Sequence, residues 1–227
     1  FMNQWLDMKN KELPSLSKKK FPDFSPALAL DLRRSIFRWV EQSVWNGNSS
    51  WQAFLKMDKI QVNERISAYY DSDYPTDENA SGFVEMNASK LNRSGLHTHP
   101  YLLASHSYAE ESSPIHRGVF TSRKILGRIL RPPSEAVSFR NADFNPDWTM
   151  RQKVTELTKP AHCMSCHDQI NSTGFVLENY DATGRNRSKI DGKPINLMVK
   201  YPDSNGQEVK FSDSNDLLKH ALVSSKP

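Results

Sequence analysis

The two cysteines of the chain lie three residues apart in segment 161–167, which reads AHCMSCH. Cys-x-x-Cys-His is the attachment signature of haem c. Cysteines at this spacing fall on one side of a helical turn, so both sulfurs can reach the two vinyl-derived carbons on one porphyrin edge. The histidine that follows is directed under the ring, where its imidazole can bind iron. We therefore expect one covalently attached haem c, held by Cys163 and Cys166, with His167 as the proximal iron ligand.

Three other functions of a Cys-x-x-Cys pair compete with haem attachment. A thioredoxin-like redox disulfide needs a βαβ context, which the sequence before Cys163 does not predict. A zinc site normally takes four Cys or His ligands in matched pairs, and the chain has no second cysteine pair. A disulfide in a secreted protein would leave His167 unexplained. The complete signature favours haem c over each of them.

The sixth iron ligand, on the distal face of the haem, has to come from another part of the chain. In small cytochromes it often follows the motif in sequence and is a methionine or a histidine, which points to Met198. A second source is the histidine cluster His97, His99 and His106, although each of these singly fits a surface or turn position. An open, five-coordinate iron is a further alternative.

Charged residues on both sides of the motif are candidates for contacts with the haem or with a metal ion. Guanidinium forks match carboxylates bidentately, so Arg117, Arg185 and Arg187 are candidates for pairing with the haem propionates. Each also fits a structural role, Arg117 near a helix start and Arg185 beside a glycine turn. Glu178 and Asp181 form either a calcium pair or turn and cap residues, and the second interpretation is favoured.

The elements that must position these residues are mostly helices. Ser25-Pro26 combines a hydroxyl cap with proline at the first helical position, and apolar residues then recur every three or four positions up to Gly47. Shorter helices are predicted for 50–56 and 61–70, and a loop for the polar stretch 71–81. No strand is predicted before that loop.

The second half of the chain has a similar pattern. A helix is predicted to begin at Pro114 and to be stopped by Pro132-Pro133. Short helices follow over 148–158 and 216–223. Weak alternation over 190–211, with Pro202 and Asn205-Gly206 inside it, predicts a small hairpin.

The predicted fold class is therefore mostly α, an irregular helical bundle whose C-terminal half binds a c-type haem and which includes a small hairpin. The polar stretch after the proline pair is interpreted as a boundary. It divides the chain into a helical domain over 1–131, a connector over 132–147 and a haem c-binding domain over 148–227.

Composition narrows the range of partners. The chain has 227 residues, 37% of them hydrophobic, a formal net charge of +4 and a pI near 9.0, which is compatible with an acidic redox partner. No apolar stretch approaches the about 20 residues that a transmembrane helix needs. The one dense basic run, Lys18-Lys19-Lys20, lacks interleaved stacking aromatics, so no nucleic-acid partner is expected.

The residues after the haem signature carry a family resemblance. Segment 163–185 resembles the C-terminal region of the planctomycete-type cytochrome c proteins, which are long secreted proteins assembled from several domains of unknown function. Their pattern follows Cys-x-x-Cys-His with Gly-Phe-x-Leu-Glu-Asn-Phe-Asp-x-x-Gly-x-x-Arg. The matching residues are Gly174, Phe175, Leu177, Glu178, Asn179, Asp181, Gly184 and Arg187, with Tyr180 at the second phenylalanine position.

Upstream elements extend this resemblance over most of the chain. Segment 113–118 (SPIHRG) is similar to the family's Ser-Pro-x-x-Arg-Gly, and 62–70 is similar to its Val-Asn-x-x-Leu-Ala-x-x-Tyr. Two features differ from the family pattern. Asn171-Ser172-Thr173 stands where the family often has Asp-Pro-Leu, and only Pro132-Pro133 remains of a proline-rich run.

These observations lead to one expected function and two rivals. We expect an extracytoplasmic, for instance periplasmic, monohaem cytochrome c domain that carries single electrons to a redox partner protein or to other domains of its parent chain. The chain starts at Phe1 with no leader and stops just after a predicted helix, so we expect a piece of a longer secreted protein. The rivals are a peroxidase-like haem enzyme with an open distal site and a scaffold or binding module with a structural haem.

Overall fold

The computed structural model describes residues 2–8, 15–45, 50–74, 82–130, 139–140 and 143–224, and it confirms a mostly α fold. Its helices are α1 (Met2–Trp5), α2 (Pro26–Trp45), α3 (Trp51–Lys56), α4 (Glu64–Tyr69), α5 (Pro100–Ser105), α6 (Pro114–Phe120), α7 (Met150–Leu157), α8 (Ala161–Phe175) and α9 (Ser214–Ser224). Its strands are β1 (Lys59–Val62), β2 (Val84–Asn87), β3 (Lys189–Ile190), β4 (Lys193–Pro194), β5 (Val199–Pro202) and β6 (Glu208–Phe211), which form three two-stranded antiparallel sheets.

The long helix α2 begins where its capping signal predicts. The Ser25 hydroxyl accepts a hydrogen bond from the Leu28 amide at 3.1 Å, which satisfies one of the amides left free at a helix start. The apolar stripe of α2 is buried against β1, α4 and α5. Gly47, predicted to end this helix, lies outside the described residues.

The helix predicted over 61–70 is wrong in its first part. Residues Lys59–Val62 form β1, which pairs with β2, and α4 starts only after Asn63, whose side chain caps the Ile66 amide at 3.0 Å. The partner strand lies beyond the 71–81 stretch, so local spacing alone gave no sign of the pairing. The expectation of no strand before that stretch is corrected with it. Of the predicted loop, residues 71–74 are described and belong to no helix or strand, and 75–81 lie outside the described residues.

The helix predicted from Pro114 towards the proline pair is shorter than expected. It continues past α6 as one π-helical segment, Thr121–Ile125, and then ends at Leu126. Gly127 follows with φ +65°, a conformation that glycine adopts readily and that ends helices. Ile129, which the predicted helix would include, is 93% exposed. Pro132-Pro133 lies outside the described residues.

The C-terminal elements agree with the sequence prediction. A reciprocal capping box between Thr149 and Gln152 starts α7, and α9 covers the predicted terminal helix. The predicted hairpin is β5 and β6, joined by a turn at Asp203, whose carboxylate accepts hydrogen bonds from the Asn205 and Gln207 amides at 2.8 Å each.

Two groups of buried apolar side chains form the interior. The first joins α2, α3, β1, α4 and β2, and the second joins α7, the end of α8, β5 and β6. Two helices contribute to both, α5 through Leu102 and Leu103 and α9 through Ala221 and Leu217. Most of the predicted connector over 132–147 lies outside the described residues, so the three-part division of the chain stays a prediction. Within the described residues, no helix is long and apolar enough to cross a membrane.

Candidate haem-binding site

The Cys-x-x-Cys-His motif occupies the first two turns of α8. Cys163 and Cys166 are free thiols, half-buried, and the helix places them on one side of a turn, as the spacing predicts. The second half of α8, from Ile170 to Phe175, is buried. The helix is thus divided into an anchoring half and a half whose thiols are open to a cofactor.

Close packing against α6 holds the anchoring half. A Cβ on Gly118 would lie 2.0 Å from the Ile170 carbonyl oxygen, and one on Gly174 would lie 2.0 Å from the Pro114 carbonyl oxygen. Both glycines are therefore needed for the two backbones to touch. The Thr173 hydroxyl, 3.1 Å from the Gly118 carbonyl oxygen, lies in the same interface.

Strand β5 runs along another side of α8. The Ser172 hydroxyl lies 2.6 Å from the Lys200 carbonyl oxygen. The Arg128 guanidinium donates one hydrogen bond to the Gln169 side chain at 3.3 Å and one to the Pro202 carbonyl oxygen at 3.0 Å. With α6 and β5 on two sides, the direction of the motif-bearing turns is fixed by the protein itself.

His167 is held through one ring nitrogen. Its Nδ1 lies 3.1 Å from Oδ1 of Asn171, one turn along α8, while Nε2 has no hydrogen-bond partner among the described residues. The Asn171 amide nitrogen lies 2.8 Å from the Thr158 hydroxyl, which in turn lies 2.8 Å from the Val154 carbonyl oxygen. Sequence analysis missed Asn171 and Thr158, although an asparagine four residues after a histidine on a helix is a readable signal.

Met198 lies at the other end of α8. Its carbonyl oxygen accepts a hydrogen bond from Arg151 at 2.9 Å, and the same guanidinium lies 4.8 Å from the centroid of the Phe175 ring. Phe175 is eight residues beyond His167, about 12 Å along the helix axis. The Met198 side chain is 63% exposed. The structure does not bring Met198 to His167, and its role as the distal ligand stays a prediction.

The histidine cluster is buried, contrary to the surface or turn positions expected for it. His97 contacts the Ser214 carbonyl oxygen at 3.1 Å through Nε2, and His99 lies 3.2 Å from the Ser35 hydroxyl. Nδ1 of His106 lies 2.8 Å from the carbonyl oxygen of Leu102, inside its own helix turn. Burial lowers the pKa of His97 to about 4 and that of His99, with help from the charge of Arg93, to about 3. Their described contacts are with α2, α5 and α9, together with one of the His106 ring with Phe120 of α6 at 4.5 Å between centroids.

Arg117 is a structural residue in this fold. It is 1% exposed and donates hydrogen bonds to backbone carbonyl groups of α5 and of the segment after α8, together with one to the Ser107 hydroxyl. The accepting carbonyls are those of Leu103, Leu177, Tyr180 and Asp181. Burial lowers its pKa to about 10, which leaves it charged at neutral pH. With its donors engaged inside the protein, Arg117 supports the structural alternative over propionate pairing.

The other candidate charges also bind protein groups. Arg185 donates to the Tyr69 carbonyl oxygen at 2.8 Å and lies 4.3 Å from the centroid of that ring. Arg187 donates to the Glu178 carbonyl oxygen at 3.0 Å and pairs with its carboxylate at 3.7 Å, while burial raises the pKa of that carboxyl. Asp181 accepts from the Thr183 and Arg185 amides, as a turn residue does. Among the described residues no group of three or more acidic, histidine or cysteine side chains could hold a metal ion.

A deep cavity exists elsewhere. It measures 790 Å³ and is lined by Phe21, Phe144, Trp148, Lys153 and Arg187 among others, with none of the motif residues. A haem on α8 would therefore rely on its covalent bonds rather than on this cavity.

Comparison with known families matches two parts of the chain, both to families described as proteins of unknown function. Residues 93–190, which include all of α8, match the family described as PSCyt3, protein of unknown function (DUF1588). Residues 1–71 match the family described as PSD4, protein of unknown function (DUF1592). The predicted connector over 132–147 falls inside the first of these ranges. No curated protein and no solved structure matches the chain.

The donor set on α8 fits a haem c. Two unpaired thiols at the required spacing and an imidazole whose Nε2 is unengaged lie on the accessible turns of one anchored helix. Cys163 and Cys166 would hold the ring, and His167 would bind its iron.

Proposed function

We propose that this chain is a monohaem c-type cytochrome domain that carries single electrons, works outside the cytoplasm and is a module of a longer secreted protein. The observation that carries the proposal is the complete Cys-x-x-Cys-His set on the accessible turns of α8, with both thiols free. The two family matches cover separate parts of the chain, which supports the modular context.

Attachment requires only the two thiols and the haem vinyl groups. Each S–H would add across one vinyl C=C of the haem, with sulfur going to the carbon next to the ring and hydrogen to the outer carbon. No oxidant is consumed. Because Cys163 and Cys166 are not joined in a disulfide, they are in the state that this addition needs.

Bound haem supplies an iron that changes charge by one electron. The residues of the chain then have three tasks, which are to fix the ring through the thioethers, to present His167, and to keep α8 in place. Gly118 and Gly174 serve the last task by letting α6 pack directly on α8. A helix anchored in this way changes little when the iron changes charge, which favours electron transfer.

Covalent attachment is tested by expressing the full chain with a haem c maturation system. We expect the pyridine haemochrome spectrum of the denatured protein to be that of haem c, at one haem per chain. The Cys163→Ala/Cys166→Ala variant should lose it. Ser224→Ala is the control, because Ser224 is exposed on α9 and its described contact is with His220, away from the motif. A wild-type chain that leaves the maturation system without haem would contradict the proposal.

A second function, a peroxidase-like haem enzyme, is favoured by the position of Met198. A methionine two helix turns away from His167 would not reach the iron of a haem bound there, so a small ligand could take that position. We therefore expect carbon monoxide to bind the reduced protein, and Met198→Leu to leave its rate unchanged. If Met198→Leu instead speeds carbon monoxide binding and changes the oxidised spectrum, Met198 is the distal ligand and electron transfer is the better assignment.

A further inference from the structure

A chain of four groups links His167 to the preceding helix. It runs from His167 Nδ1 to Asn171, from Asn171 to the Thr158 hydroxyl, and from there to the Val154 carbonyl oxygen, over distances of 3.1, 2.8 and 2.8 Å. Asn171 is 7% exposed and Thr158 is 3% exposed. A buried chain of this kind is costly to leave partly unpaired, so its bond directions are strongly determined.

The directions follow from counting protons. Thr158 has one hydroxyl proton, and the Val154 carbonyl oxygen can only accept it. The hydroxyl must therefore accept from Asn171, whose NH2 group is its donor. This assignment from the network turns Oδ1 of Asn171 towards His167. Flipping the amide would remove the buried bond to Val154.

The same counting determines which nitrogen of His167 carries its proton. Oδ1 of an amide only accepts, so Nδ1 of a neutral His167 must be the N–H that donates. Nε2 then carries the lone pair, which is the form that binds a metal. A histidine oriented by a hydrogen bond of its other nitrogen is a stiffer ligand with a fixed ring plane.

We propose that Asn171 and Thr158 are positioning residues for the proximal ligand, which select the Nδ1–H tautomer of His167 before haem binds and set the reduction potential after it binds. The effect on the reduction potential rests on the proposed function, whereas the effect on the tautomer does not. Because the acceptor is a neutral amide, His167 stays a moderate electron donor to iron. A carboxylate at the same place would accept the proton more strongly and favour the ferric form.

The tautomer is measured on the full chain produced without haem. Long-range ¹H–¹⁵N NMR of the neutral imidazole, assigned by the loss of the signal in His167→Gln, should show the proton on Nδ1. Asn171→Leu and Thr158→Val should move a measurable share of the proton to Nε2, while Thr158→Ser, which keeps the hydroxyl, should behave as wild type. A proton on Nε2 in the wild-type chain overturns the proposal.

The potential is measured on the haem-loaded chain by spectroelectrochemistry. Asn171→Asp should lower the equilibrium constant for reduction on the order of tenfold, the difference between a neutral and a charge-assisted hydrogen bond. Ser224→Ala, on the exposed surface of α9, should leave the potential unchanged, and Thr158→Ser should have the wild-type potential where Thr158→Val does not. Equal potentials in wild type, Asn171→Asp and Thr158→Val overturn the proposal. If no variant takes up haem, the proposed function fails, and the NMR result still decides the positioning role.

Discussion

Arg117 donates a hydrogen bond of 2.6 Å to the carbonyl oxygen of Tyr180, and through it the start of α6 is tied to the segment that follows α8. This segment contains most of the Gly-Phe-x-Leu-Glu-Asn pattern that follows the Cys-x-x-Cys-His motif. Arg117 is 1% exposed, and its guanidinium connects separate elements of the fold by hydrogen bonds to their backbone carbonyl groups. The resemblance at this arginine therefore reflects folding.

Replacing Arg117 by methionine should destabilise the protein strongly. The Tyr180 carbonyl oxygen would lose its donor while still buried, whereas the carbonyl oxygens of Leu103, Leu177 and Asp181 would each lose one of their donors. We expect a loss of about 3 kcal/mol in the free energy of unfolding. Urea denaturation followed by circular dichroism measures it. Arg140→Met is the control, because the Arg140 side chain is 75% exposed and its ion pair within the described residues is with Asp143. It should change the free energy of unfolding by less than about 0.5 kcal/mol. Equal effects of the two substitutions would contradict the assigned role.

The contact between α6 and α8 makes Gly118 intolerant of a single methyl group. In Gly118→Ala the new carbon would meet the Ile170 carbonyl oxygen, and neither backbone can rotate away. Alanine is the better helix former by up to about 1 kcal/mol, so the clash has to outweigh that gain. We expect a net loss of about 2 kcal/mol in thermal or urea unfolding.

Gly127→Ala is the comparison for that substitution. A Cβ there meets nothing within 4 Å, and only its φ of +65° is unfavourable, so the loss should be about 1 kcal/mol. A Gly118 variant as stable as the Gly127 variant would show that the two helices can separate at little cost.

The buried histidines make stability depend on pH. The pKa of His97 is lowered by burial to about 4, whereas an unfolded chain has the ordinary value of 6.5. Between these pH values the unfolded state binds more protons than the folded state. The contribution of neutral His97 to the free energy of unfolding is therefore fully present above about pH 6.5 and is lost as the pH drops towards 4. The loss from His97 alone should be on the order of 3 kcal/mol. His99, whose pKa is lowered to about 3, acts in the same direction.

Urea unfolding at several pH values between 4 and 8 measures this slope. His97→Gln removes one titrating group while an amide can still donate to the Ser214 carbonyl oxygen, so the variant should show a flatter pH dependence between 6.5 and 4. A slope unchanged from wild type would mean that His97 is solvated or charged in the folded protein.

The sequence predicted features that are encoded locally. The cap at Ser25, the periodicity of α2, the capping box at Thr149 and the turn at Asp203 all appear where neighbouring residues indicate them. The haem signature is of the same kind, since its chemistry is contained in one helical turn.

What the sequence did not predict depends on contacts between distant segments. Strand β1 owes its form to β2, and the donors of Arg117 are engaged by carbonyls up to 64 positions away. The spacing of Asn171 from His167 is local and could have been predicted from the sequence. Its orientation could not, because it depends on Thr158, 13 positions earlier. Side-chain type and spacing indicate what a residue can do, and its tertiary neighbours decide which use is realised.

The division of α8 has a consequence for the biogenesis of the protein. The buried half, Ile170–Phe175, completes its packing with polypeptide alone, whereas the cysteines remain on the accessible half. Under the proposed function, a maturation enzyme would reach both thiols without displacing the packed half of the helix, because the attachment residues and the packing residues lie on different turns.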